Sequence, residues 1–192
     1  MRIGKKGIRM ENKLLIKLIV GTEAMFFLAL IMAFVYFSFT PDFKSHQLLN
    51  LDIKTTGAFS LLLFSSSFTY WRAESSYHKG EITKLKVWLI ITILLGTLFL
   101  FGQGREYLGL LNSHISVSSS IFGTSFFTLT GFHGLHVFVG IVVIAIVTCL
   151  TFLGDFTNKK SSILGAVGIY WHFVDIVWAV VFLIVYVLPH IF

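Results

Sequence analysis

Five long apolar runs constrain this chain more than any other feature of its sequence. They cover about residues 14–39, 55–73, 86–107, 121–153 and 163–188. A membrane-spanning α-helix needs roughly 20 predominantly apolar residues, and each run approaches or exceeds that length. The composition agrees, because 56% of the 192 residues are hydrophobic and 12% are charged, whereas about 25% of the residues of a soluble domain are charged. The sequence therefore predicts an all-α fold, an integral membrane bundle of five transmembrane helices.

Lysine and arginine are unevenly distributed between the segments that flank these runs. The side that includes the N-terminal tail carries twelve of them, and the opposite side carries three, Lys44, Lys54 and Arg105. Cytoplasmic loops are enriched in Lys and Arg, so this bias predicts an N-terminus inside and a C-terminus outside. We expect one membrane domain over residues 1–192, with a basic cytoplasmic tail at residues 1–13. The net charge of +6 belongs to this pattern and does not indicate a nucleic-acid partner.

Ionisable residues lie inside three of the predicted spans, where a charged side chain at the bilayer centre costs roughly 2.5 kcal/mol or more. At about 1.5 Å per helical residue, these groups fall roughly 8 to 18 Å from the inner surface of the membrane. We therefore predict that they meet in one polar layer inside the bundle, associated with protons or lipids. The residues of this predicted polar layer are Glu23, His133, His136, His172 and Asp175.

Small residues accompany the ionisable ones on the same helix faces. Gly168 and Ala179 flank His172 and Asp175 on one stripe of the fifth run, and Gly140 lies on the face of the two histidines of the fourth run. Small residues let helices approach closely, so we expect the stripe to face a neighbouring helix. Secondary candidates lie beside the predicted layer or near the ends of the spans, namely Ser65, Thr69, Glu106, Trp171 and Trp178.

Each of these groups also has a purely structural interpretation. His172 and Asp175 are spaced for a hydrogen bond within their helix, and His133 and His136 are placed to form hydrogen bonds between helices. Glu23 fits a protonated carboxyl packed in the bundle. The two tryptophans fit core packing, and the glutamate of the third run fits an interfacial position. A metal or haem ligand role for the histidines is the alternative to these interpretations.

Four strings carry a family resemblance, and they occur in the order TEAMFF, SSSFTYW, TGFHGLHVFVG and YWHFVDIVW. Together they resemble subunit III of the haem-copper respiratory oxidases, over about residues 18–186. Glu23 matches the membrane glutamate of the family's SE-MFF motif, with Thr22 in place of the usual serine. The candidate histidines and the aspartate match the polar positions of the last two strings, and Glu106 in QGREY resembles the family's glutamate before a tyrosine.

The resemblance implies a non-catalytic subunit of a cytochrome c or quinol oxidase, an enzyme that reduces O2 to water and pumps protons. It implies that this chain carries no haem and no copper, which belong to subunits I and II, and that it stabilises subunit I and holds phospholipids in a cleft. The chain begins at what would be the family's third helix, so it resembles the short five-helix bacterial form, and any cleft needs helices from a partner. Expected partners are subunits I and II, a small subunit IV, phospholipids and a respiratory supercomplex, in the bacterial inner membrane.

Other functions stay open at this point. Quinol oxidase subunit III and the homologue that accompanies nitric-oxide reductases share the motif strings, although the strings favour a cytochrome c oxidase. A b-haem membrane redox protein would use His172 with His133 or His136 as axial ligands from facing helices. A small ion transporter would use Glu23 and Asp175.

Overall fold

Helices account for almost all of the described structure. The computed structural model describes residues 5–40, 43, 51–154 and 163–191, with side chains placed between residues 14 and 189 of these ranges. Among these residues there are five long helices: α1 (Lys5–Ser38), α2 (Ile53–Lys79), α3 (Ile82–Asn112), α4 (Ile121–Leu153) and α5 (Ile163–Phe182). One π-helical turn (Leu183–Val187) leads from α5 into a short helix α6 (Leu188–Ile191). The predicted all-α class is confirmed.

Some of the positions that the charge argument used lie outside the described residues. They are residues 1–4 of the basic tail, Lys44, and the connection that contains Lys159 and Lys160. The side of the membrane on which each terminus lies therefore stays a prediction.

Local sequence signals set the ends of α2. Asp52 Oδ1 accepts hydrogen bonds from the backbone N–H groups of Lys54 (3.0 Å) and Thr55 (3.3 Å) at the start of the helix, which is the role of an N-cap. The Thr55 side-chain and backbone hydrogen bonds, with that from Lys54, hold the pKa of Asp52 below its ordinary value. At the other end, Gly80 has φ 79°, and glycine is the residue that adopts this left-handed conformation without strain. The turn at Gly80 and Glu81 then returns the chain as α3.

The helices pack as a ring of four with a fifth helix on the outside. α2 and α3 form an antiparallel hairpin, α3 packs on α4, α4 on α5, and α5 on α2. α1 packs against α4 and α5 and leaves most of its surface exposed, including Leu14, Met25 and Met32. The core therefore lies between α2, α3, α4 and α5.

Gly140 is one of the glycines that permit close contact between helices. A Cβ atom added at Gly140 of α4 would lie 2.7 Å from Cζ3 of Trp171 on α5, a distance shorter than a van der Waals contact. Trp171 itself is fully buried. The small residue predicted to permit a close approach thus receives an indole ring from the next helix.

Among the residues that the structure describes, four helices are long and apolar enough to cross a membrane. They are Leu14–Ser38 within α1, then α3, α4, and α5 with its π-helical turn up to Val187. The described surface also exposes many large apolar side chains, such as Phe101 and Leu153, as expected for contact with lipid or other subunits. α2 is less apolar because it carries a run of serine, threonine and charged residues, so its crossing of the bilayer stays a prediction.

Candidate functional site

Glu23 and His136 form a polar contact between α1 and α4. Nε2 of His136 lies 3.0 Å from Oε2 of Glu23, and Nδ1 of His136 lies 2.7 Å from the carbonyl oxygen of Phe132. A carbonyl oxygen only accepts, so Nδ1 carries the hydrogen of that bond. Nε2 then either donates to an ionised Glu23 or accepts from a protonated Glu23. Both arrangements have zero net charge, which lowers the cost of placing the two groups in a membrane.

The same contact is tied to α5 and is only partly enclosed. The hydroxyl of Tyr170 donates to the backbone carbonyl of His136 at 3.1 Å, and the ring of Phe27 meets the His136 ring edge to face at 4.9 Å. The side chains of His136 and Glu23 are 15% and 33% exposed. The pair therefore lies at the edge of the bundle, where the side chain of Glu23 on α1 reaches the surface.

A second polar group joins α2 to α5 through Ser67. Oγ of Ser67 lies 2.9 Å from Nδ1 of His172 and donates to Oδ2 of Asp175 in a short hydrogen bond. His172 and Asp175 are one turn apart on α5, and one hydroxyl from the facing helix contacts both of them. The hydrogen bond predicted within α5 is therefore replaced by a bridge from another helix. Asp175 is 5% exposed, and its Oδ1 has no hydrogen-bond partner among the described residues.

His133 is fully buried, with 0% exposure. Its ring stacks on Trp178 at 4.7 Å between centroids and meets the rings of Phe99 and Phe27 edge to face. Neither ring nitrogen has a hydrogen-bond partner within the described part of the chain. The structural interpretation of a hydrogen bond between helices therefore holds for His136 and does not hold for His133, which packs among aromatic rings.

Two serines of α2 accept hydrogen bonds from the buried tryptophans of α5. The indole Nε1 of Trp171 donates to Ser66 Oγ at 3.1 Å, and that of Trp178 donates to Ser60 Oγ at 2.8 Å. Each serine hydroxyl in turn donates to a backbone carbonyl of its own helix. The two serines thus bond both to the indoles and to their own backbone, so both tryptophans pack in the core with their N–H groups bonded.

Glu106 links three elements at the other end of the bundle. Its Oε1 accepts from the hydroxyl of Thr56 on α2 at 3.0 Å, and its Oε2 accepts from the hydroxyl of Tyr186 in the π-helical turn at 2.8 Å. Glu106 is half-buried between helices, and its interfacial position stays a prediction. A cavity of about 280 Å³ lies beside it, bordered also by Asp52 and Arg105.

A further group of hydrogen bonds joins α3 to α4. The side-chain amide of Gln103 donates to the backbone carbonyl of Thr130 at 2.6 Å, and the hydroxyls of Tyr107 and Thr130 lie 2.8 Å apart. Neither the amide nor the tyrosine was a candidate from the sequence. A glutamine within an apolar run was the signal that could have identified this contact.

The five residues of the predicted polar layer lie in three separate groups of contacts. The Glu23–His136 pair, the Ser67 bridge and the aromatic enclosure of His133 each have their own partners. The secondary candidates differ as well. Thr69 is buried and bonds to Thr92 of α3 at 2.8 Å. Ser65 is exposed and bonds only to a carbonyl of its own helix, so it lies away from the other polar groups.

The geometry of the histidines bears on the alternative of haem ligation. A pair of axial ligands needs two imidazole nitrogens that point at one iron from opposite faces of a porphyrin ring. His133 is enclosed by three aromatic rings, whereas His136 and His172 direct ring nitrogens at Glu23 and Ser67. Within the described ranges there is also no group of three or more His, Cys, Asp or Glu residues spaced to hold a metal ion. The described contacts do not fit a haem between these helices.

Comparison with known proteins gives one consistent family. The family model described as cytochrome c oxidase subunit III matches residues 3–189. A probable cytochrome c oxidase subunit 3 from Mycobacterium leprae is 34% identical over 166 residues, which cover 86% of this chain and 82% of that protein. The cytochrome c oxidase subunit 3 of Synechocystis is 34% identical over 168 residues, or 86% of this chain and 71% of that protein. A probable subunit 3 from Nocardia farcinica is 38% identical over 136 residues, or 71% and 67% of the two chains.

Proposed function

We propose a function from one premise: this chain belongs to the cytochrome c oxidase subunit III family, and it is an integral membrane subunit of a haem-copper oxidase. Its role there is structural. It stabilises subunit I and holds phospholipids, while subunits I and II carry the haem and copper that reduce O2 to water and drive proton pumping. The observation that carries the proposal is the match of the family model to nearly the whole chain.

The buried hydrogen bonds support a structural role. The acids and hydroxyls at Glu23, Ser67 and Glu106 each join two or more helices. A hydrogen bond between helices inside a membrane contributes about 0.6 kcal/mol on average, so several of them together hold a bundle in one arrangement. A rigid bundle of this kind suits a subunit that packs beside a catalytic one and supports proton uptake or lateral access of O2.

The proposed topology has five transmembrane helices, with the N-terminus inside and the C-terminus outside. α2 has 27 residues, which at about 1.5 Å per residue is roughly 40 Å and exceeds a hydrocarbon core of about 30 Å. The hydroxyls of Ser60, Ser65 and Ser66 bond to carbonyls of their own helix, which lowers the cost of placing serine inside a membrane. α2 therefore serves as the fifth span.

The electron donor proposed for the complex is cytochrome c, because the relatives in the comparison are described as subunits of cytochrome c oxidases. A small subunit IV and a respiratory supercomplex are further proposed partners. The proposed location is the bacterial inner membrane, since the relatives are bacterial. The exposed apolar surface of α1 is the proposed contact with phospholipid or with helices of a neighbouring subunit.

Deletion of the chain tests the proposed role. We expect the remaining complex to keep its haem and its initial rate of O2 consumption, and to lose activity sooner during continuous turnover. A matched preparation with the chain restored should recover the full lifetime. Loss of haem from the remaining complex would show that the chain does more than stabilise it.

Purification of a tagged chain tests the assignment to an oxidase. A copper-bearing subunit should accompany it, together with a haem subunit that oxidises cytochrome c. Recovery with a nitric-oxide-reducing partner, or with a haem subunit that oxidises only quinol, would replace cytochrome c oxidase with one of the alternatives.

A further inference from the structure

The Ser67 bridge contains a buried acid with an incomplete set of contacts. Asp175 is 5% exposed, Oδ2 accepts from Ser67, and Oδ1 has no hydrogen-bond partner among the described residues. His172, at the other end of the bridge, is only half-buried. The hydroxyl of Ser67 therefore lies between an enclosed acid and an imidazole that is nearer to the outside.

A serine hydroxyl in this position can be bonded in two ways. In the first, the hydroxyl donates to an ionised Asp175 and accepts a hydrogen bond from Nδ1–H of His172. In the second, a protonated Asp175 donates to Ser67 Oγ, which donates to the bare Nδ1 of His172. A serine hydroxyl is both a donor and an acceptor, so the 2.9 Å distance to Nδ1 and the bond to Oδ2 fit both states.

The polar path continues from His172 towards the C-terminal end of α2. If side chains were added at Gly165 and Gly168 of α5, their Cβ atoms would lie 3.4 Å and 3.6 Å from the carboxylate oxygens of Glu74. The carboxylate of Glu74 therefore lies against α5, at a site that begins one helical turn before His172. It also lies 3.8 Å from His78, and the side chains of His78 and Glu74 are 69% and 29% exposed. Titratable groups thus extend from an exposed helix end to the enclosed acid.

Other titratable groups on the neighbouring helices have partners of their own. Tyr70, the nearest aromatic neighbour of His172, donates its hydroxyl to the backbone carbonyl of Leu164. On α4, His136 is bonded to Glu23. Arg72 of α2 lies over the ring of Trp88 on α3. On α5, His172 lies between Asp175 and Gly168, the glycine that faces the carboxylate of Glu74.

We propose that Ser67 is a proton relay through which the buried Asp175 exchanges its proton with the end of the bundle that carries Glu74 and His78. In the inward step, the Nδ1–H bond of a protonated His172 breaks and a bond from that proton to Ser67 Oγ forms. The Ser67 O–H bond breaks at the same time, and its proton binds Oδ2 of Asp175. The imidazolium and carboxylate become a neutral imidazole and a carboxylic acid, and no other reactant is consumed. The neutral His172 keeps its hydrogen on Nε2, and a ring flip that turns the bare Nδ1 away from Ser67 lets it take up a new proton from the side of Glu74.

The purely structural alternative is a hydrogen-bonded bridge that holds α2 to α5 and exchanges no proton. The two interpretations differ in the rate at which the acid at Asp175 exchanges hydrogen for deuterium. A relay needs a hydroxyl at position 67, whereas a bridge affects only stability. The exchange rate is independent of O2 reduction, so a failure of this proposal is distinct from a failure of the proposed oxidase function.

The test uses the membrane complex purified with the full chain and transferred into D2O. The carbonyl stretching band of a protonated carboxyl shifts on deuteration, and the variant Asp175→Asn identifies the band of Asp175. With Ser67→Ala we expect exchange to slow by roughly 100-fold, the lower end of what a positioned proton-transfer group contributes. Ser67→Thr keeps a hydroxyl and should exchange at a rate close to that of the original chain. Ser65→Ala removes a neighbouring hydroxyl that faces away from α5, and it should have no effect.

Three results would overturn the proposal. They are an unchanged exchange rate in Ser67→Ala, a rate in Ser67→Thr as slow as in Ser67→Ala, and the absence of any band that Asp175→Asn removes. Should Ser67→Ala prevent assembly of the complex, His172→Phe interrupts the relay at its other end. It is expected to slow exchange to the same degree, and normal exchange in that variant would equally refute the relay.

Discussion

The α2–α5 contact and the α1–α4 contact both contain ionisable residues, but they use them in opposite settings. Between α2 and α5, the polar groups lie in a buried interface in which Ser60, Ser66 and Ser67 bond to tryptophan, histidine and aspartate side chains. Between α1 and α4, one pair, Glu23 and His136, lies at the edge of the bundle.

The difference shows which helices enclose a core without further contacts. The ring of α2 to α5 encloses its own core, whereas α1 leaves most of its apolar surface exposed. In a membrane, apolar contact alone gives helices little reason to associate, because lipid is equally apolar. The Glu23–His136 contact therefore adds to the packing of the buried Phe27 and Phe34 rings in holding α1 to the bundle, while α2 and α5 share several side-chain hydrogen bonds.

Removal of a core aromatic ring from the α2–α5 side should have the largest effect. Trp178→Ala removes the ring that stacks on His133 and donates to Ser60. We expect a loss of about 3–5 kcal/mol in the free energy of unfolding of the chain in mixed micelles. Trp71→Ala is the matched control, because Trp71 is 54% exposed and its loss should cost less than about 0.5 kcal/mol. Equal losses in the two variants would show that the ring of helices does not hold the core.

Removal of Glu23 should have the next largest effect, because it breaks the α1–α4 contact. Glu23→Ala leaves Nε2 of His136 without its partner, and we expect a loss of about 1–3 kcal/mol by the same measurement. The partial exposure of the pair places the expected value towards the lower end of that range. In Glu23→Gln the amide can donate to the neutral imidazole, so this variant should recover part of the loss. If the alanine and glutamine variants are equally unstable, the hydrogen bond to His136 is not what attaches α1.

One indole–hydroxyl bond of the α2–α5 contact should contribute less than the ring that carries it. A double-mutant cycle of Ser60→Ala and Trp178→Phe isolates the 2.8 Å bond between these residues. The expected coupling energy is about 0.6 kcal/mol, the average for hydrogen bonds between membrane helices. A coupling energy of zero would mean that the tryptophan contributes through packing alone.

The smallest effect is expected for Ser65→Ala. Ser65 is exposed, and its hydroxyl bonds to the carbonyl of Leu61 in its own helix. The free energy of unfolding should change by less than about 0.5 kcal/mol. A larger loss would show that the exposed face of α2 takes part in a contact that the serines facing α5 do not explain.

The helices could be predicted from the sequence, whereas the partners of the key acids and imidazoles could not. Apolar runs of about 20 residues predict helices because that is the length an α-helix needs to span a bilayer. The length of an apolar run does not predict the rotation of its helix about the helix axis. Ser65, Ser66 and Ser67 are consecutive, and each points about 100° away from the previous one. Only packing decides which of them meets α5, so the sequence identified Ser65 as a candidate and did not identify Ser67 as the bridge.

The prediction that these residues form one polar layer lacked information on helix rotation for a related reason. Depth along the membrane places Glu23, His133 and Asp175 in one band, but depth does not say which side of a helix a residue occupies. His133 turns into the aromatic core, while His136, three residues later, reaches α1. The π-helical turn that brings Tyr186 to Glu106 had no signal in the apolar pattern, because an extra residue in one turn leaves the composition of the run unchanged.

The central claim is that this chain supports an oxidase and carries no redox centre of its own. A reduced-minus-oxidised visible spectrum, recorded on the purified complex and on the chain separated from its partners, tests that claim most directly. We expect haem bands in the complex and none in the separated chain. A sharp haem band that stays with the separated chain would contradict it.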